Sequence, residues 1–216
     1  MCHRIVGNPT WVRVSLDAGT KDVWSSLHCT DVKFADVLDG IRDMVRRLPN
    51  TTIGGSMVVT KHNYLDIVPF VWLCKDIGLS YARITYGLME DGADHFTDID
   101  SRIRRTATKM VARLNSNNFK VAFQGNRLDL MRPRKREFDT CYYAISSSVV
   151  GADGYLYPCC ELSYIRAHRI RNMVDDISFG AHVKVGDCPP CDMDQKNRDS
   201  MKIVRARDSC IHRNFL

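Results

Sequence analysis

The sequence predicts an α/β fold of parallel strands joined by helical crossovers, followed by a small cysteine-rich hairpin module. Three observations carry this. Short β-branched segments alternate with longer segments of helical period over residues 1–123, and that order with short links builds parallel strands with right-handed crossovers. Four cysteines then arrive in two pairs, Cys141-x12-Gly154-x4-Cys159 and Cys188-x2-Cys191, which is the arithmetic of a metal site. The 216 residues, 44% hydrophobic and 26% charged, suffice for one sizeable core or a domain plus a smaller module.

Residues 11–16 (WVRVSL) alternate and are β-branched, which predicts a strand ended by the turn Asp17-Ala18-Gly19-Thr20. Phe34, Val37, Leu38, Ile41, Met44, Val45 and Leu48 recur at spacings of three and four, so 34–48 is a helix with one apolar stripe, closed by Pro49. A second strand covers 53–60 (IGGSMVVT), where Gly54 and Gly55 mark a bulge or a close approach. Asn63 is placed to cap a helix over 64–77, and Gly78 to stop it. A third strand, 81–85, a basic helix, 98–114, and a short strand, 119–123, complete the alternation. Residues 124–139 mix Gly, Pro and basic residues without a period and read as a linker into the module at 140–216, which ends in a helix over 192–206.

Within the module, Asp153-Gly154 suits a tight hairpin because glycine takes positive φ without a Cβ clash. The flanking runs 144–150 and 155–157 are rich in β-branched and aromatic residues, so their pairing would carry Cys141 and Cys159 together. A Cys-x2-Cys turn supplies two more sulfurs from one loop. Cys159 and Cys160 are adjacent, and adjacent strand residues point to opposite faces, so only one can join the centre; its distance from Gly154 selects Cys159. Zinc and iron–sulfur clusters both accept four thiolates, and spacing alone leaves both open.

Composition excludes several classes. No apolar run reaches the length of a membrane span and the start, MCHRIVGNP, lacks the apolar core of a signal peptide, so the expected location is cytoplasmic. Nine cysteines in a chain of this size with a conventional core fit reduced thiols better than a disulfide scaffold. The net charge of +6 gathers locally, at Arg102, Arg104 and Arg105 and at Arg132, Arg134, Lys135 and Arg136. Such runs are usually solvated faces, and with no zinc-finger helix or aromatic-interleaved motif they argue against a nucleic-acid partner.

The runs VRVSLDAGT, FADVLDGIRDMV and TIGGSMVVTKHNYLDIVPFVWLCKDIGLSYARITYG resemble the C-terminal half of a radical SAM (β/α) barrel, and the cysteine tail is similar to the twitch version of the SPASM domain. The resemblance covers nearly the whole chain and implies a partial barrel followed by an iron–sulfur module. It implies an auxiliary [4Fe-4S] cluster held by Cys141, Cys159, Cys188 and Cys191, with electron transfer as its role because four cysteines leave no open iron. Asn197 stands where a full SPASM domain would place a further cysteine, so a second auxiliary cluster is not expected. The complete enzyme would cleave S-adenosylmethionine reductively and abstract hydrogen from a peptide or small-metabolite substrate.

By the same resemblance residues 11–16 are the fourth barrel strand, and Ser15 and Asp17 face the barrel mouth where S-adenosylmethionine binds, with Ser56 and Thr85 beside them on the next strands. Read locally, Asp17 closes its turn, Ser15 pairs within the sheet and Asn63 is a cap rather than a ligand. The family's Cys-x3-Cys-x2-Cys loop has no counterpart, for Cys2, Cys29 and Cys74 have other spacings; Cys29 reads as a loop thiol and Cys74 as a core thiol. The chain is therefore expected to be a fragment, inactive and poorly soluble alone, whose complementary N-terminal half supplies the loop. Two other classes stay open: a structural zinc protein without redox activity, and an interaction subunit whose strand edge at 11–16 seeks a partner.

Overall fold

The computed structural model describes residues 9–87, 96, 98–131, 138–173, 183–184, 188, 191 and 193–209. Cys2, Cys210 and the basic run 132–137 lie outside them. The chain divides into two compact units, Met1–Asp129 and Leu130–Leu216.

The first unit is a mixed α/β structure around one parallel sheet. Its elements are β1 (Trp11–Ser15), α1 (Lys21–His28), α2 (Phe34–Arg47), β2 (Thr52–Val59), α3 (Ile67–Asp76), β3 (Tyr81–Tyr86), α4 (Asp100–Leu114) and β4 (Lys120–Phe123). The strands lie in the order β1-β2-β3-β4, every pair parallel. Chain order equals spatial order, as expected when each strand is followed by a crossover that returns beside it.

Alternation along the strands separates two faces. One is apolar: Ile53, Met57 and Val59 of β2 and Ala82, Ile84 and Tyr86 of β3 are buried. The helices pack there, since a Cβ at Gly55 would meet the Cys74 sulfur of α3 at 2.6 Å and the Phe70 ring at 3.4 Å. The other face carries Arg13 and Ser15, Gly54 and Ser56, and Tyr81, Arg83 and Thr85. The apolar stripe of α2 is buried at Phe34, Leu38, Ile41 and Met44. Gly78 follows α3 with φ 82°, the left-handed conformation of a C-terminal glycine.

Three elements differ from the sequence reading. Helix α1 was not expected; Trp24, stacked on His28 with ring centroids 3.8 Å apart, is its buried anchor. The helix expected over 64–77 is instead a 3₁₀ turn, Tyr64–Asp66, followed by α3, and Asn63 makes no side-chain capping bond. A short helix, α5 (Arg127–Met131), occupies part of the stretch read as linker.

The second unit contains β5 (Thr140–Cys141), α6 (Tyr143–Ser146), β6 (Val149–Val150), β7 (Tyr155–Tyr157), β8 (Arg171–Asn172), β9 (Val183–Lys184) and α7 (Asp194–Ser209). Strands β6 and β7 form the antiparallel hairpin, with Gly154 at φ 80° in its turn and β8 pairing on the far side. Only its last two residues before the turn are strand, because 143–146 coil into α6. Strand β5 pairs with β9, setting Cys141 beside Val183. Leu156 and Tyr157 are fully buried, and the Tyr157 hydroxyl and the Arg169 guanidinium both donate to Asp153 Oδ2, at 2.6 and 2.8 Å.

Candidate functional site

The first unit gathers polar groups on the sheet face opposite its helices. Parallel register pairs Ser15 with Ser56 and Ser56 with Arg83, while Thr85, two residues beyond Arg83, pairs with Val58. Ser15, Ser56 and Thr85 therefore share one face near the C-terminal ends of three adjacent strands. Ser56 and Thr85 are both 3% exposed, and the Thr85 hydroxyl has no hydrogen-bond partner among the described residues. An unpaired buried hydroxyl is costly, and such groups concentrate where a ligand completes the bonding.

Asp17 stands at the strand ends but is occupied there. It has φ 56°, its carboxylate Oδ1 accepts from Val58 N at 2.6 Å, and its carbonyl accepts from Asn63 Nδ2 at 2.9 Å. Asn63, 1% exposed, also donates to Val58 O at 3.0 Å and accepts from Thr60 N at 2.7 Å. It thus staples the loop after β1 to the end of β2, a role its sequence position near a helix start concealed. Asp66 completes the loop by accepting from the backbone N–H groups of Gly19 and Thr20. Gly19 is required there, since a Cβ would lie 2.0 Å from Phe70 N.

In the second unit, Cys141, Cys188 and Cys191 line one pocket with Phe138, Met193 and Asn197. The backbone N–H of Met193 donates to the Cys191 sulfur at 3.2 Å. Cys159 is half-buried: burial pushes its thiol up, the N–H groups of Leu162 and Glu161 oppose that rise, and the charges of Cys160 and Cys141 add to it. Cys160 is exposed, its sulfur beside Glu161 Oε1 at 3.8 Å. Cys29 is exposed and Cys74 buried, as their surroundings in the sequence suggest.

The donor set is all sulfur, which suits zinc or an iron–sulfur centre. Among the described residues no three metal-binding side chains already converge on one point. The pocket is lined by three of the four thiols, and the charge of Cys141 is among the causes that raise Cys159. Sequence reasoning did not find Asn197 in this role. Its amide is 2% exposed, donates to Thr140 O at 3.1 Å and accepts from Tyr143 N at 3.0 Å, and so brackets Cys141.

No protein-family model matches the chain, and no curated protein matches it in sequence. Its fold is similar to that of Streptococcus suis SuiB. The SuiB crystal structure matches at TM-score 0.52 and 16% identity, over 77% of this chain and 42% of SuiB. The structure of SuiB bound to S-adenosylmethionine matches at TM-score 0.54 and 16% identity, over 77% of this chain and 41% of that one. At such identity the likeness is one of fold, and the chain spans about two fifths of the length of SuiB. No helix among the described residues is long and apolar enough to cross a membrane.

Proposed function

We propose that this chain is the C-terminal portion of a radical SAM enzyme, with its polar sheet face turned to S-adenosylmethionine and substrate and its thiol pocket holding an auxiliary [4Fe-4S] cluster. The observation that carries this is the set of hydroxyls Ser15, Ser56 and Thr85 on one face near the C-terminal ends of parallel strands, in a fold similar to that of a protein with S-adenosylmethionine bound. Ligands of parallel α/β folds bind at that end of the sheet.

The residues divide the work. Ser15 and Ser56 offer donors to the cofactor, and Thr85, further along the same face, offers to cofactor or substrate a hydroxyl that has no partner among the described residues. Asp17 and Asn63 orient the loop that borders the cofactor, since their polar atoms are engaged by backbone. Cys141, Cys159, Cys188 and Cys191 supply the four thiolates, while Phe138 and Met193 keep water from the sulfurs. When bound, the cluster supplies one-electron transfer and S-adenosylmethionine supplies hydrogen abstraction. The sequence given has no Cys-x3-Cys-x2-Cys loop, so activity is proposed to need a segment or partner that carries one.

Iron, sulfide and zinc analysis with an absorption spectrum, on anaerobically purified protein and on the Cys188→Ala, Cys191→Ala double variant, tests the reading. About four irons and four sulfides per chain with broad absorbance, lost in the variant, is the expected result. About one zinc and no colour would instead leave a structural metal module, and the redox proposal would be abandoned.

A further inference from the structure

The sheet face that carries Ser56 and Thr85 also carries Arg13 and Arg83. Arg13 of β1 pairs with Gly54, which pairs with Tyr81; one step along the strands, Ser15, Ser56 and Arg83 form the next row. Gly54 makes room for the Tyr81 ring, since a Cβ there would lie 2.1 Å from its phenol end. Arg127 approaches from α5, donating from its guanidinium to Tyr86 O at 3.2 Å.

Carboxylates pair with several arginines of this unit, Asp39 with Arg42, Asp43 with Arg47 and Asp100 with Arg104. Among the described residues no carboxylate pairs with Arg13 or Arg83. Arg83 donates to the neutral Gln124 Oε1 at 2.5 Å, and Arg13 lies over the Trp11 ring at 5.8 Å. Burial, then the nearby charges of Arg13 and Arg127, pull the Arg83 guanidinium below its ordinary value. Arg13 and Arg83 share one sheet face with no carboxylate between them among the described residues, and an anion placed there would meet their guanidinium forks and relieve the repulsion. Thr85, on the same strand face as Arg83, independently presents a buried hydroxyl with no partner among the described residues.

We infer that this face binds an oxyanion of the substrate, a carboxylate or a phosphate, with Arg83 as its principal donor, Arg13 and Arg127 as flanking charges and Thr85 as a further hydrogen-bond partner. The assignment to the substrate rests on the enzyme reading above, whereas the anion site itself stands on the sheet geometry. It narrows the substrate class to acidic or phosphorylated molecules.

The test is calorimetric titration of the full chain at low salt with inorganic phosphate and with succinate. Saturable binding is expected to weaken roughly ten- to a hundredfold in Arg83→Gln, as for loss of a charged hydrogen bond, and to stay unchanged in Arg113→Gln, on the exposed side of α4. Arg83→Lys keeps the charge without the fork and should fall between, which keeps the test decisive should Arg83→Gln fail to give a cooperative melt. Whichever of phosphate or succinate binds more tightly identifies the oxyanion. Absence of saturable binding by the folded chain, or equal losses in Arg83→Gln and Arg113→Gln, would overturn the site. Displacement of phosphate by S-adenosylmethionine would assign the arginines to the cofactor and overturn the substrate role. Iron analysis reads the thiol pocket and phosphate titration reads the sheet face, so either reading can fail while the other stands.

Discussion

The side-chain amide of Asn197 and the carbonyl of Thr140 are joined by a 3.1 Å hydrogen bond across 57 residues of sequence. Because the same amide accepts from Tyr143 N, one buried residue of α7 holds the backbone on both sides of Cys141. Asn197→Ala would leave both backbone groups unpaired, and each unsatisfied buried group costs about 1–3 kcal/mol. The expected outcome is a lower melting temperature for the second unit together with reduced iron incorporation. Normal iron content in a soluble Asn197→Ala protein would remove Asn197 from the support of the thiol pocket.

Cys159 and Cys160 should behave differently. Cys159 is half-buried, and burial pushes its thiol up, whereas Cys160 is exposed. Cys159→Ala is expected to lower iron content as far as Cys188→Ala does, and Cys160→Ala to leave it unchanged. Metal analysis of the three variants purified in parallel decides the ligand.

Asp66 is buried and receives the N–H groups of Gly19 and Thr20 at the start of α1. Hydrogen bonds to a charged acceptor contribute about 1.5–3 kcal/mol. Asp66→Ala should lower the urea midpoint of the first unit by a corresponding amount, with Asp66→Asn retaining part of the difference. An unchanged midpoint for Asp66→Ala would show that the loop is held by packing of Gly19 on Phe70 alone.

Gly55 and Cys74 are predicted to be coupled. A Cβ at Gly55 meets the Cys74 sulfur at 2.6 Å, closer than real contacts allow, so Gly55→Ala should destabilise by about 1–3 kcal/mol through overpacking. Cys74→Ala removes the obstructing sulfur, and the double variant should be more stable than the sum of the single losses predicts. A double-mutant cycle by denaturant unfolding measures the coupling directly.

The same thiol sets an alkaline limit. Burial pushes Cys74 up to about 12. A raised folded-state value means that the stabilising contribution of the neutral thiol is complete below the unfolded value, near 9, and is lost as pH rises toward about 12. The slope is at most about 1.4 kcal/mol per pH unit. Unfolding free energies of the native protein and Cys74→Ala, compared between pH 8 and 10.5, should diverge in pH dependence, the native protein losing stability faster.

Local patterning in the sequence determined the alternation of strand and helix through 11–123, the buried stripe of α2, the glycine stop at Gly78 and the hairpin turn at Gly154. Each of these depends on neighbours within a few residues, where periodicity and backbone preference act. Helix α1 escaped this reading because eight residues with one buried anchor, Trp24, make too short a stripe to stand out. Residues 144–146 read as strand from composition, yet they belong to α6, whose first residue, Tyr143, donates its N–H to Asn197 from 54 positions away. Tertiary structure alone decided the parallel register that sets Ser15 beside Ser56 and Ser56 beside Arg83, the engagement of Asp17 by Val58, and the shared pocket of Cys141, Cys188 and Cys191. The physical reason is that local pattern specifies which face a side chain takes, whereas the partner across that face is set by crossover length, register and the packing of distant segments.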